Sequence, residues 1–398
     1  MQHATMLQMA VAALSLHGFV ATDNCPIDKS GQASCRSATH AQRLDVALLA
    51  SDGVRLQLAR VLPARSNGMQ IRLGSLVVVA KLVHIPASDE TVLIVLTFDR
   101  QALWFWRRGE ADLPLESMGA LHSKAGSVTS VGIAQTSVDF TVALGHQNGT
   151  ASIWHLERKH QRKWQQAAAL QVSHHDWESV DVIAVSGDGR LVLACTADNA
   201  LLSSLSQTGS GAMEPTELRH LHGGAKQVAA AEIVMLSDEA YLVLIAFQSG
   251  ILEGWVAANV EAAASGNAGS SNLVERRWQL SLHGRLIALS SGSTEEQDED
   301  DVAVYLAGAD AEGSVFLWQL DNEGSLLNNK PLWQARPSSH GMPASSLAVV
   351  RASYGADPQP AWWVVVGCGS EVAILHIMSG KEVQRSTFSG SPLALSWH

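Results

Sequence analysis

Apolar and polar positions along this chain follow a pattern that returns at a nearly fixed interval. In "ALGHQNGTASIWHL", Ala143 to Leu156, an apolar run meets a polar turn at Asn148 and Gly149, and a second, alternating run ends in Trp154. The same arrangement starts at Val46 ("VALLASDGVRLQLARV"), Val92 ("VLIVLTFDRQALWFWRR"), Leu191 ("LVLACTADNALLSSL"), Tyr241 ("YLVLIAFQSGILEGWV"), Val302 ("VAVYLAGADAEGSVFLWQL") and Trp362 ("WWVVVGCGSEVAILHI"). Short runs rich in β-branched and aromatic residues, broken by Gly, Asn or Asp, read as hairpins. Seven of them imply an internally repeated all-β fold.

The turn residues before the second strand are Gly53, Arg100, Gly149, Asn199, Gly250, Gly313 and Ser370, spaced 47, 49, 50, 51, 63 and 57 residues apart. The longest step contains two polar stretches, 262–272 ("AAASGNAGSSN") and 291–301 ("SGSTEEQDEDD"), expected to be solvated loops. A histidine recurs between the hairpins, as His122, His174, His222, His283 and His340, each shortly before the next apolar run.

These features together resemble the WD40-repeat family, whose repeat carries a Gly-His near its start and a strand ending in Trp-Asp. Trp154, Trp255 and Trp318 occupy the tryptophan position, Trp106 lies close to it, and Leu205 and Ile377 replace it elsewhere. The terminal Asp is mostly absent, and Gly-His has become Leu-His or Ser-His. The resemblance implies a single all-β propeller of seven blades over residues 44–398. It also implies that the recurring histidines and tryptophans are structural, each histidine bonding loop to strand within its blade. The tail, 392–398, is expected to close the ring by completing the first blade. Segment 1–43 is expected to supply part of a propeller strand.

Composition narrows the function. The chain has 398 residues, is 46% hydrophobic and carries a formal net charge of −11, which excludes bulk electrostatic attraction to nucleic acid. Four cysteines (Cys25, Cys35, Cys195, Cys368) without CxxC or zinc spacing suit a reducing compartment, so an intracellular site, cytoplasmic or nuclear, is expected. No apolar run approaches the roughly 20 residues of a membrane helix. There is no GxSxG, no P-loop lysine motif and no HExxH. Sixteen histidines invite a catalytic or metal-binding reading, above all His174 and His175 beside Asp176, but a residue repeated in every blade lies in a ring and does not converge on one ligand. The expectation is therefore no catalysis, no cofactor, no metal and no small-molecule substrate.

What remains is surface. Arg107 and Arg108 follow Trp104 and Trp106, and Arg158, Lys159, Arg162 and Lys163 precede Trp164, the densest basic stretch of an acidic chain. Such a loop can meet RNA phosphate or an acidic partner. From "LWFWRRGE" through "ASIWHLERKHQRKW" to "SHHDWESV" the chain also resembles the WD40 subunit of the Elongator complex, which normally has two propellers. The leading expectation is a protein–protein interaction scaffold within a multiprotein complex. The second is an RNA-associated accessory subunit, as in tRNA modification.

Overall fold

The computed structural model describes residues 46–397 apart from 52–54, 63–64, 73–76, 86–89, 109–115, 122–124, 136–139, 158–162, 174, 176–177, 208–212, 224–226, 238–239, 259–272, 294–303, 339–340, 353–360, 370 and 388–390. Among the described residues every regular element is a β-strand, and no helix is long and apolar enough to cross a membrane.

The strands assemble into four-stranded antiparallel sheets, seven among the described residues. Sheet 1 has Val46–Ser51 (β1), Arg55–Leu62 (β2) and Arg65–Arg72 (β3). Sheet 2 follows with Val77–Ile85 (β4), Glu90–Thr97 (β5), Ala102–Arg108 (β6) and Glu116–Ala120 (β7). Sheet 3 has Val128–Gln135 (β8), Phe140–His146 (β9), Thr150–Glu157 (β10) and Lys163–Gln171 (β11). Sheet 4 has Val182–Val185 (β12), Leu191–Cys195 (β13), Asn199–Gln207 (β14) and Met213–Gly223 (β15). Sheet 5 has Val228–Ser237 (β16), Ala240–Phe247 (β17), Ile251–Ala258 (β18) and Val274–Ser281 (β19). Sheet 6 has Leu286–Ser293 (β20), Val304–Asp310 (β21), Val315–Leu320 (β22) and Trp333–Ala335 (β23). Sheet 7 has Ala344–Ala352 (β24), Ala361–Cys368 (β25), Glu371–His376 (β26) and Glu382–Thr387 (β27). The last strand, Ser391–Trp397 (β28), is the fourth strand of sheet 1, with Leu48 opposite Leu395 and Val46 opposite Trp397.

Each hairpin read from the sequence is the central pair of one sheet. The reason is burial. Residues Phe140 to His146 are buried at every position, as are Val304 to Asp310 and Leu191 to Cys195. A strand covered on both faces loses the inside–outside alternation and becomes a continuous apolar run. The outer strands show the opposite pattern: Glu116 to Gly119 of β7 are exposed, and β19 exposes Glu275, Arg276 and Arg277. Consecutive sheets pack face to face. One apolar layer joins sheets 2 and 3 around Leu93, Trp106 and Leu144, and further layers join 3 to 4, 4 to 5, 5 to 6 and 6 to 7. The first strands touch one another in chain order, from β4 to β24, and β28 touches both β24 and β4.

Two segments differ from the sequence reading. Ser291, Gly292 and Ser293, read as the start of a polar loop, continue β20 instead. Ser291 is buried there because its N–H and hydroxyl both donate to Glu232 Oε1 on the neighbouring sheet, at 3.0 and 2.8 Å. Lys163 and Trp164, read as loop residues, begin β11. The stretch 262–272 and segment 1–43 lie outside the described residues.

Candidate functional surfaces

The buried polar side chains sit where strands must be tied together. In sheet 3, Ser152 stands between two rings of its own hairpin. Trp154 Nε1 donates to Ser152 Oγ at 2.9 Å, and His146 Nε2 lies 2.7 Å from the same oxygen. All three side chains are buried. Burial holds the His146 imidazole below its ordinary pKa, while the backbone of Gly126 and Ser127 beside the ring pulls the other way without a hydrogen bond of good geometry to Nδ1. The turn between these strands is set by Gly149, at φ +73°, and by Asn148, whose Oδ1 accepts from the Thr150 hydroxyl at 2.7 Å.

Sheet 5 uses different chemistry at the matching place. Glu253, two residues before Trp255, is buried. Its Oε2 accepts from Trp255 Nε1 at 3.1 Å, and its Oε1 meets Arg276 Nη1 at 3.1 Å. Arg276 and Arg219, the latter from β15 of the neighbouring sheet, bring their guanidinium groups 5.8 and 5.5 Å from the Trp255 ring. Such contacts are cation–π attractions, and a half-exposed arginine covers apolar ring surface while its charge stays in water. In sheet 6, Trp318 is fully buried and stacks on Phe316 at 5.7 Å, and its Nε1 has no hydrogen-bond partner.

Of the recurring histidines, His283 is exposed in the bend between β19 and β20. Its side chain stands in solvent, and the buried histidine of a hairpin is His146. His222 lies on β15 opposite Ala200. His122, His174 and His340 lie outside the described residues. Trp154, Trp255 and Trp318 are all buried. Among the basic candidates, Arg107 and Arg108 end β6, opposite Thr91 and Glu90, and Lys163 starts β11 opposite Glu157. Arg158, Lys159 and Arg162 lie outside the described residues. Beside this stretch, Trp164 meets Trp104 edge to face at 5.6 Å, so the tryptophan belongs to the packing between sheets 2 and 3.

Other ionisable groups are also placed for structure. Tyr241 of sheet 5 donates its hydroxyl to Asp188 Oδ2 in the β12–β13 turn at 2.5 Å. Burial, then the Asp188 carboxylate, pushes its pKa up. Asp310 is buried at the end of β21, and its Oδ1 accepts from the N–H groups of Glu312 and Ser314 at 2.9 and 2.7 Å, closing the turn. Cys195 and Cys368 are free, buried thiols. Burial raises both, and Cys368 reaches about 12 with Glu371 adding to the effect. A thiol held protonated is a weak nucleophile and a weak metal ligand. Among the described residues no group of three or more His, Cys, Asp or Glu side chains is placed to hold a metal.

Sequence reasoning missed a cleft of about 440 Å³ between the outer strands of sheets 3 and 4. Leu170, Val172 and Leu201 form its apolar part, and Ser203, Glu217 and His220 line its other side. No sequence signal marks it, because its two walls come from separate stretches of the chain, 169–175 and 199–220.

No family model matches the chain, and no curated protein matches it. Solved structures do. The chain aligns with Sqt1 of Saccharomyces cerevisiae at a TM-score of 0.50 and 12% identity, covering 75% of this chain and 73% of that one. It aligns with a candidate 6-phosphogluconolactonase of Bacteroides uniformis at 0.56 and 11%, covering 89% and 99%. A protein of unknown function from Desulfotomaculum acetoxidans gives 0.57 and 11%, covering 89% and 98%. At these identities the likeness concerns the fold alone, and the fold is all-β and propeller-like.

Proposed function

We propose that the seven sheets are the blades of one seven-bladed propeller, closed where β28 pairs with β1, and that the propeller is a non-catalytic protein–protein interaction scaffold in a multiprotein complex of the cytoplasm or nucleus. One observation carries this reading. Four buried polar side chains, His146, Ser152, Glu253 and Asp310, have their hydrogen bonds inside a hairpin or its own sheet, and Glu232 ties one sheet to the next. Groups held in this way stiffen a framework, and a stiff framework presents its loops and rims to partners. The WD40 resemblance points the same way, since that family generally binds peptides and partner domains.

The test is affinity purification of the tagged protein from its own cells at two salt concentrations, with protein and RNA both identified. A fixed set of proteins at constant stoichiometry, surviving high salt, supports the scaffold. RNA lost at high salt, and lost also on Arg162→Glu and Lys163→Glu substitution, without stable protein partners, replaces it with the RNA-associated reading. A monomer carrying neither overturns both.

A further inference from the structure

Among the residues lining the cleft between sheets 3 and 4 is a polar group that the protein leaves unsatisfied. The Ser203 hydroxyl is fully buried and has no hydrogen-bond partner. A buried hydroxyl without a partner costs about 1–3 kcal/mol, so an orphan lining a cavity points to something that enters the cavity. Ser203 on β14 pairs directly with Glu217 on β15. Cross-strand partners put their side chains on the same face of a sheet, so hydroxyl and carboxylate stand side by side toward the cleft. Glu217 is more than half exposed, and its Oε1 lies 3.1 Å from His220 Nε2.

The rest of the lining sets the ligand chemistry. Leu170, Val172 and Leu201 offer an apolar wall to methylene groups, while Gln171 and Asn199 stand at its polar margin. The lining holds a carboxylate and, among the described residues, no lysine or arginine, which suits a cation and not a phosphate. The chain as a whole carries −11, which draws basic segments toward it. A guanidinium is planar, carries five N–H donors and lies well on apolar surface, so one group can engage a carboxylate and a neighbouring hydroxyl together.

We infer that this cleft receives an arginine side chain from a basic peptide segment of a partner protein. The inference rests on the scaffold reading and gives it a place on the molecule. Glu217 accepts the charged hydrogen bonds, the Ser203 hydroxyl accepts from the inner edge of the guanidinium, and the aliphatic stem packs on Leu170 and Leu201.

The experiment uses the full chain and two fluorescein-labelled pentapeptides, Gly-Ala-Arg-Ala-Gly and the same peptide with citrulline in place of arginine. Fluorescence polarisation follows binding to the wild type, Glu217→Gln and Ser203→Val, with a thermal melt for each protein. The expected result is saturable binding of the arginine peptide that weakens at least tenfold with citrulline, with Glu217→Gln and with Ser203→Val. Glu217 is at an exposed position, so its substitution decides the matter even if Ser203→Val fails to fold. Equal binding of the two peptides, an unchanged Glu217→Gln, or no saturable binding overturns the inference. If the cleft variants keep a stoichiometric partner set in affinity purification, the cleft falls while the scaffold stands. If the wild type has no such set, the scaffold itself falls.

Discussion

Gly254 and Trp278 make a sharp test of the packing described here. They are directly opposed on β18 and β19. A Cβ placed on Gly254 would come 2.2 Å from Trp278 Cε2, 2.4 Å from Cζ2 and 2.7 Å from Nε1. Carbon contacts sit near 3.5–4.0 Å, so Gly254→Ala must move the indole by about 1 Å or more. The ring is not free to move, because its Nε1 donates to the Gly324 carbonyl of the neighbouring sheet at 2.7 Å. Overpacking costs roughly 1–3 kcal/mol, and a lost hydrogen bond adds about 0.5–1.5, so Gly254→Ala is expected to destabilise by about 2–4 kcal/mol. With Trp278→Ala in the background the obstacle is gone. The same glycine substitution then restricts the unfolded chain and should stabilise by about 0.5–1 kcal/mol. The sign reverses, and the coupling energy in a double-mutant cycle comes to about 2.5–5 kcal/mol. Urea unfolding of the four proteins, followed by far-UV circular dichroism, measures it. If Gly254→Ala costs the same whether residue 278 is Trp or Ala, the steric argument is wrong.

Arg100 has φ +63°, the single positive value outside glycine among the described residues, in the turn where other sheets have Gly149, Gly250 and Gly313. Arg100→Gly should stabilise by about 0.5–1 kcal/mol net, the left-handed strain removed exceeding the flexibility added to the unfolded chain; a lower urea midpoint would contradict this. The pKa of His146 is lowered on folding, so the unfolded chain takes up its proton first as pH falls through 6.5. Its contribution is therefore intact above pH 6.5 and is lost progressively below it. Thermal midpoints of the wild type should drop more steeply between pH 7 and 5 than those of His146→Asn, and parallel curves would refute this. Glu253→Gln keeps an acceptor for the Trp255 indole and loses an ion pair to a half-exposed arginine, costing under about 1 kcal/mol. Glu253→Leu strands the buried indole N–H and should cost about 1–3 kcal/mol; equal midpoints for the two variants would place the stabilisation elsewhere.

The hairpins were legible because central strands are covered on both faces, and that coverage writes continuous apolar runs such as "FTVALGH". The outer strands were less so. Lys163 and Trp164 read as loop residues, yet they open β11, which pairs with β10 along its whole length. An outer strand needs one apolar face at most, so its composition drifts toward that of a loop. Ser291 to Ser293 misled for a related reason: a short polar run looks solvated until a carboxylate from the next sheet, Glu232, is known to face it. The recurring histidine of the sequence has one described side chain, that of His283. At His283 the side chain is exposed, and the hydrogen-bonded histidine beside the tryptophan is His146, inside the hairpin itself. The cleft had no sequence signature, since Leu170 and Ser203 meet only through the packing of sheet 3 on sheet 4.

The tryptophan position shows why the pattern survives while the motif does not. Stability comes mainly from burying the central hairpins between neighbouring sheets, and any residue set that keeps those runs apolar keeps that burial. The polar tie at the tryptophan has a looser requirement, namely that a buried N–H find an acceptor. Sheet 3 meets it with Ser152 backed by His146, and sheet 5 with Glu253 backed by Arg276. Sheet 6 leaves the Trp318 N–H without a partner and relies on full burial and the stacked Phe316. Three chemically unlike answers at one position mean that packing constrains this site more than hydrogen bonding does. Motif letters can then change from sheet to sheet while the spacing of apolar runs stays, and the spacing is what remained readable in this chain.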